Sequence, residues 1–137
     1  MNFQKQQIGN VELIAMQDTW ATVSPTTFFP EVSSEIWEYH KDFLDNSGNM
    51  ILNMGSWLVR SQGQNILIDT GTGAWPNHMQ TQMDPSLPNV MHAVGIQPEE
   101  IDIVVFSHFH WDHTGWNTDP ADGGEKPVFS GARHIVQ

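Results

Sequence analysis

In "NVELIAMQD" the apolar residues Val11, Leu13 and Ala15 occupy alternate positions, the period of a strand with one face turned inward. "SPTTFFP" follows as a loop bounded by prolines. The period then lengthens. In "SSEIWEYHKDFLDNSG" Ile36, Tyr39, Phe43 and Leu44 recur at helical spacing, so a helix is expected over residues 33–48. Ser33 or Ser34 suits its cap, Glu35 its first turn, Lys41 its negative end and Gly48 its stop. Residues 57–60 and 66–68 read as strand arms around "SQGQ", with Gly63 free to adopt positive φ. The second arm runs apolar into Asp69, and Gly71 and Gly73 come next. A carboxylate at the end of a buried strand needs a partner or a task.

"AWPNHMQTQMDPS" is irregular, and "LPNVMHAVG" reads as a helix from Pro88 or Asn89 with Gly95 just past its end. "QPEE" makes a short turn of helix. The continuous β-branched run "IDIVVF" has the look of a strand covered on both faces. A helix feeding such a strand is α/β grammar. After the turn-rich "NTDPADGGEKP", "VFSGARHIVQ" opens a further strand pair. No repeat or linker interrupts the chain, so residues 1–137 are expected to form one domain.

Composition narrows the function. The 137 residues carry 16 Asp and Glu against five Lys and Arg, a formal net charge of −11. Nucleic acid and anionic membrane surfaces are poor partners for that balance, since both are bound largely through Lys and Arg. There is no cysteine, which removes disulfides and thiolate metal sites. The opening residues show no charged-then-apolar leader pattern, and no apolar run reaches membrane-spanning length, so a cytoplasmic location is expected.

The chemistry is concentrated in "SHFHWDHTGW", directly after the apolar run. His108 and His110 are two apart, and in extended chain their side chains share one side and can converge on one ion. Asp112 and His113 follow as the chain turns and project differently, which suits a second ion or a shared water. Imidazole and carboxylate donors favour Zn²⁺, one or two ions, with Fe or Mn as alternatives. Gly115 lets the backbone turn past the metal. A single histidine in a loop is ordinarily a polar surface residue; three histidines and an aspartate at this spacing after a buried strand are not.

Read as H-x-H-x-D-H, these residues resemble the signature of the metallo-β-lactamase superfamily. "GSWLVRSQGQNILIDTGTG" is similar to the early strands of that family, with Asp69 at its first aspartate. "GIQPEEIDIVVFSHFHWDHTGWNT" is similar to the helix, strand and loop that carry the signature. The resemblance implies half of an αββα sandwich, a mixed sheet with flanking helices. It also implies a binuclear metal-dependent hydrolase in which metal-activated water attacks the substrate. Carried over by position, His108 and His110 would hold the first metal, and Asp112 and His113 the second. Asp112 would also act catalytically on the nucleophile, and Asp69 would brace the ligand loop.

The family pattern also needs donors well downstream: a further histidine for each metal and a bridging aspartate. Beyond His113 this chain offers Asp119, Asp122, Glu125 and His134. His134 in "GARHIVQ" is a candidate replacement, although a strand histidine is its plain reading. His40, His78 and His92 read as helix-face or surface residues. The 137 residues therefore look truncated on their C-terminal side. A fragment, a complete half-fold whose homo-oligomer supplies the missing cover and donors, and a weak metal site finished by water are the three explanations. The signature is closest in look to lactonase and organophosphate-hydrolase-like members, so a small ester, lactone or phosphoester is the expected substrate. Trp111 and Trp116 flank the ligands and are candidates to line its pocket, with Phe28, Phe29, Trp57 or Trp75 beside them. The alternative function is a non-catalytic metal-binding half-fold.

Overall fold

A computed structural model describes residues 3–75 and 81–136 of the chain; His78 lies outside them. Six strands of the described residues form one mixed sheet in sequential order: β1 (Phe3–Ile8), β2 (Val11–Val23), β3 (Met50–Ser61), β4 (Gln64–Ile68), β5 (Ile103–Phe106) and β6 (Arg133–Val136). The first four are joined antiparallel, while β4–β5 and β5–β6 are parallel. The parallel steps need crossovers, and α3 (Leu87–Ala93) lies within the first of them. The short helices are α1 (Pro25–Phe28), α2 (Ser34–Trp37) and α4 (Trp111–Thr114).

The core lies on one face of the sheet. Ile14, Met16, Leu58, Leu67, Val104 and Phe106 point into it and meet Leu87, Val90 and Met91 of α3, with Ile96, Ile101, Trp116 and Phe129 closing the sides. The expected inward set of β2, Val11, Leu13 and Ala15, is on the other face and only half-buried. Both parities of this strand are apolar, so alternation alone chose the wrong one.

That second face has a consequence for β5. Val104 and Phe106 are buried but Ile103 and Val105 are half-buried, so the run expected to be covered on both sides is covered on one. Reading across the register, Ala15, Trp57, Ile68, Val105 and Ile135 make an apolar row over five strands that no described element packs down on fully. Trp57 is 50% exposed at its centre.

Other expectations hold or fail for local reasons. The turn between β3 and β4 places both Gln62 and Gly63 at positive φ, as a two-residue hairpin of the observed twist requires. Gly95 has φ +80 just past α3. The long helix over 33–48 does not form: α2 ends at Trp37 and a 3₁₀ segment, Glu38–Phe43, follows with a kink at His40. Its apolar stripe stays largely in solvent, with Ile36, Tyr39 and Phe43 all exposed, and without burial a short helix has little to hold it. The C-terminal strand pair reduces to β6 alone. No helix among the described residues is long and apolar enough to cross a membrane.

Candidate metal centre

Two neighbouring parallel strands deliver the site. Ile68 of β4 pairs with Val105 of β5, so the residues just past their ends, Asp69 and Ser107, emerge side by side. Asp69 takes a left-handed backbone, φ 58, and its amide still donates to the Val105 carbonyl at 2.8 Å. Its carboxylate turns toward the signature loop. Oδ1 accepts from the Ser107 amide at 2.8 Å, and Oδ2 accepts from the Ser107 hydroxyl at 2.7 Å. Oδ2 also lies 2.7 Å from His113 Nδ1. Burial pushes the Asp69 carboxyl up, but the hydrogen bonds from His113 and Ser107 and the charge of His113 together outweigh it and hold the group below its ordinary value.

A carboxylate on Nδ1 fixes that nitrogen as the N–H and leaves Nε2 with its lone pair outward. His113 Nε2 stands 3.4 Å from Asp112 Oδ2. The other two histidines make a second pair, with His108 Nε2 and His110 Nδ1 3.0 Å apart. Ser107 Oγ is 3.0 Å from His108 Nδ1, which leaves Nε2 as the ring edge facing His110. All three rings gather: the His108 centroid is 4.0 Å from that of His113 and 4.5 Å from that of His110. The start of α4 explains the turn. His110 is extended, and its carbonyl accepts from the His113 amide at 3.0 Å and from the Thr114 hydroxyl at 3.2 Å.

These distances allow a direct test of fit. Two ligands of a tetrahedral zinc at about 2.05 Å stand about 3.3 Å from each other. The His108–His110 and Asp112–His113 pairs are both near that spacing, and both are of the donor types zinc takes. Each pair is a two-donor bite, and no group of three or more such donors among the described residues surrounds a single point. His134, the candidate replacement, stacks its ring on Phe106 at 6.0 Å from β6.

A pocket of about 210 Å³ adjoins the second pair, lined by Ala15, Met54 and Trp57 with Asp69, Asp112 and His113. Trp57 thus stands beside the donors. Trp111 is exposed on α4, whereas Trp116 is turned into the core, so Trp116 does not line this pocket. Phe28 and Phe29 belong to the 24–48 segment, and Trp75 bonds the Thr118 carbonyl through its indole. A larger groove of about 570 Å³ lies along that same segment and contains none of the histidines.

Sequence reasoning passed over Asp18. It is fully buried, and its two oxygens accept from six donors. Its position on the Ile14–Met16 parity was the available signal: a carboxylate on the inward face of a strand. Choosing the opposite parity hid it.

Solved structures share this fold. AidC, a dizinc quorum-quenching lactonase in complex with a homoserine product, aligns with TM-score 0.80 at 24% identity, over 97% of this chain and 44% of its own. A probable metal-dependent hydrolase from Staphylococcus aureus aligns with TM-score 0.81 at 21% identity, over 96% and 48%. The hydrolase AbOPH of the β-lactamase superfamily aligns with TM-score 0.70 at 23% identity, over 97% and 43%. The chain thus spans under half the length of these three, and its mixed sheet with flanking helices is half of their α/β fold. The family model for the metallo-β-lactamase superfamily matches residues 56–134, from the β3 strand through the signature to β6, and the chain belongs to that superfamily.

Proposed function

We propose that this chain carries the metal-binding half of a metal-dependent hydrolase acting on small esters, lactones or phosphoesters. The observation that supports this most is the pair of donor bites, 3.0 Å and 3.4 Å, braced by the Asp69–His113 hydrogen bond. His108 and His110 would hold one ion, and Asp112 and His113 another. Zinc suits these donors, with iron or manganese as alternatives. Bound there, the ions would acidify a water and polarise the bond under attack.

The chain's own residues do the rest. Asp69 keeps the His113 proton on Nδ1 and so keeps Nε2 available. Asp112, half-buried beside the pocket, orients the attacking water and accepts its proton. The pocket is smaller than a drug-sized site, and it suits one apolar arm of a substrate lying against Trp57 and Met54.

Two donors per ion are fewer than the three a catalytic zinc ordinarily has. We propose that residues 1–137 act as one domain and that a second αβ unit supplies the others as it covers the apolar row through Trp57. For these 137 residues by themselves, a second copy in a homo-oligomer is that unit. The two-donor count also favours a second reading, a metal-binding half-fold without turnover. Metal analysis and ester, lactone and phosphoester assays separate the two. Hydrolysis that disappears with chelator and in His110→Ala supports the hydrolase; stoichiometric metal with no turnover supports the half-fold. Turnover indifferent to chelator and to His110→Ala would sink the metal mechanism.

A further inference from the structure

We propose that Asp18, outside the signature and without contact to any of its donors, is a positioning residue for the Asp112–His113 pair. The inference rests on reading that pair as one ion's donors. Asp18 occupies a break in the β2–β3 ladder: Gln17 opposes Gly55 and Thr19 opposes Met54, so the residue between them has no partner. Such bulges re-aim a side chain. Here the carboxylate enters the space beneath two loops.

Its bonds tie three segments together. Oδ2 accepts from the Thr72 amide at 2.8 Å, the Thr72 hydroxyl at 2.9 Å and the Gly73 amide at 3.3 Å. Oδ1 accepts from the Ser86 and Leu87 amides at the start of α3, both at 2.7 Å, and from the Trp116 indole at 2.9 Å. Every partner is a donor, so the position calls for a group that only accepts; an asparagine would aim its N–H₂ at one set of them.

The loops so held carry His113. Thr70 donates to the His113 carbonyl through its amide at 2.7 Å and its hydroxyl at 3.1 Å. The Gly115 amide donates to the Gly71 carbonyl at 2.8 Å, and the Trp116 amide to the Thr70 carbonyl at 3.1 Å. Asp18 thus grips residues 72–73 on one side of this pairing and Trp116 on the other. The approach is too close for side chains. A Cβ on Gly71 would lie 2.6 Å from Asp18 Oδ2, and one on Gly73 would lie 2.3 Å from the Gly115 carbonyl oxygen. The His108–His110 pair is reached instead through Ser107, which bonds His108 and Asp69; Asp69 also braces the His113 ring, but neither Ser107 nor Asp69 bonds Asp18. A change at Asp18 should therefore reach one donor pair and spare the other.

The test is a cobalt titration of the metal-free 137-residue chain, followed by visible absorption, with Asp18→Asn beside Met91→Ala, a core change in α3 that lowers stability without touching the clamp. His110→Ala and His113→Ala assign the two binding steps. Asp18→Asn is expected to weaken the step lost in His113→Ala by about 10- to 100-fold while leaving the other unchanged. Amide exchange at Thr70 and Gly115 in the metal-free chain should speed up in Asp18→Asn and not in Met91→Ala. Equal weakening of both steps in both variants, or no change in Asp18→Asn, overturns the proposal. Should Asp18→Asn fail to fold, Trp116→Phe removes the indole donor and keeps a smaller aromatic side chain in the core. The same selective weakening is then expected, and unchanged binding overturns it. Cobalt binding that ignores His110→Ala and His113→Ala alike would instead refute the metal-site reading itself.

Discussion

Replacing Asp69 with asparagine changes one atom and reverses a hydrogen-bond direction. In the native site the carboxylate accepts from the Ser107 amide, the Ser107 hydroxyl and His113 Nδ1, all within 2.8 Å. The asparagine oxygen can keep the Ser107 amide, and the hydroxyl can rotate to accept. His113 Nδ1 cannot remain a donor toward an N–H₂ group. The ring must then accept at Nδ1 and carry its proton on Nε2, the nitrogen 3.4 Å from Asp112 Oδ2 that is proposed to hold the ion. Loss of a charge-assisted hydrogen bond is worth about 1.5–3 kcal/mol, which corresponds to a loss of about 10- to 150-fold in affinity at that pair. The Ser107 amide keeps its acceptor, so the fold should survive. Nitrogen-detected NMR of the metal-free chain reads the tautomer directly, and a cobalt titration reads the affinity. A His113 ring that keeps its proton on Nδ1 beside the asparagine, or an unchanged affinity, refutes the reasoning.

The Asp69 carboxyl is held below its ordinary value, so its stabilising contribution is complete above the unfolded-state value near 3.8 and is lost as pH falls through the lower folded value. Acid unfolding of Asp69→Asn should therefore show a shallower dependence over that window than the native chain, by circular dichroism. Gly115→Ala would place a Cβ 1.8 Å from the Thr72 carbonyl carbon, where both partners are backbone. A loss of about 3 kcal/mol or more is expected in urea unfolding, since overpacked backbone has no rotamer to yield. Trp57→Lys puts a charge at the centre of the half-exposed apolar row. It should convert the proposed homo-oligomer to monomer by light scattering, and a native chain already monomeric at high concentration would contradict that assembly.

The parts legible in the sequence are those fixed by local chemistry. "SQGQ" sits where the β3–β4 turn forms because a tight turn needs a residue tolerant of positive φ, and Gly63 supplies it. The gathering of His108, His110 and His113 follows from a short extended segment entering α4, and from Asp69 emerging beside Ser107 on the neighbouring parallel strand. What escaped depends on partners. The stripe Ile36, Tyr39 and Phe43 has helical spacing, but helix stability in a protein comes mainly from packing, and these side chains stay exposed. In β2 both faces are apolar, and only the placement of α3 decides which is inside.

That last ambiguity connects the sheet to the site. A strand with two apolar faces is a strand meant to be covered twice, and here one cover is α3. The uncovered row through Ala15 and Trp57 runs into the pocket that holds Asp112 and His113. Whatever covers this face therefore arrives beside the Asp112–His113 pair. On the proposed metal-site reading, the uncovered apolar row and the further donors each pair would need call for one and the same cover. A surface that approached the row without His or Asp at its edge would restore packing and leave both bites open. One that carries them would complete the layers and the coordination together, which is why metal affinity and assembly should rise and fall in the same titration.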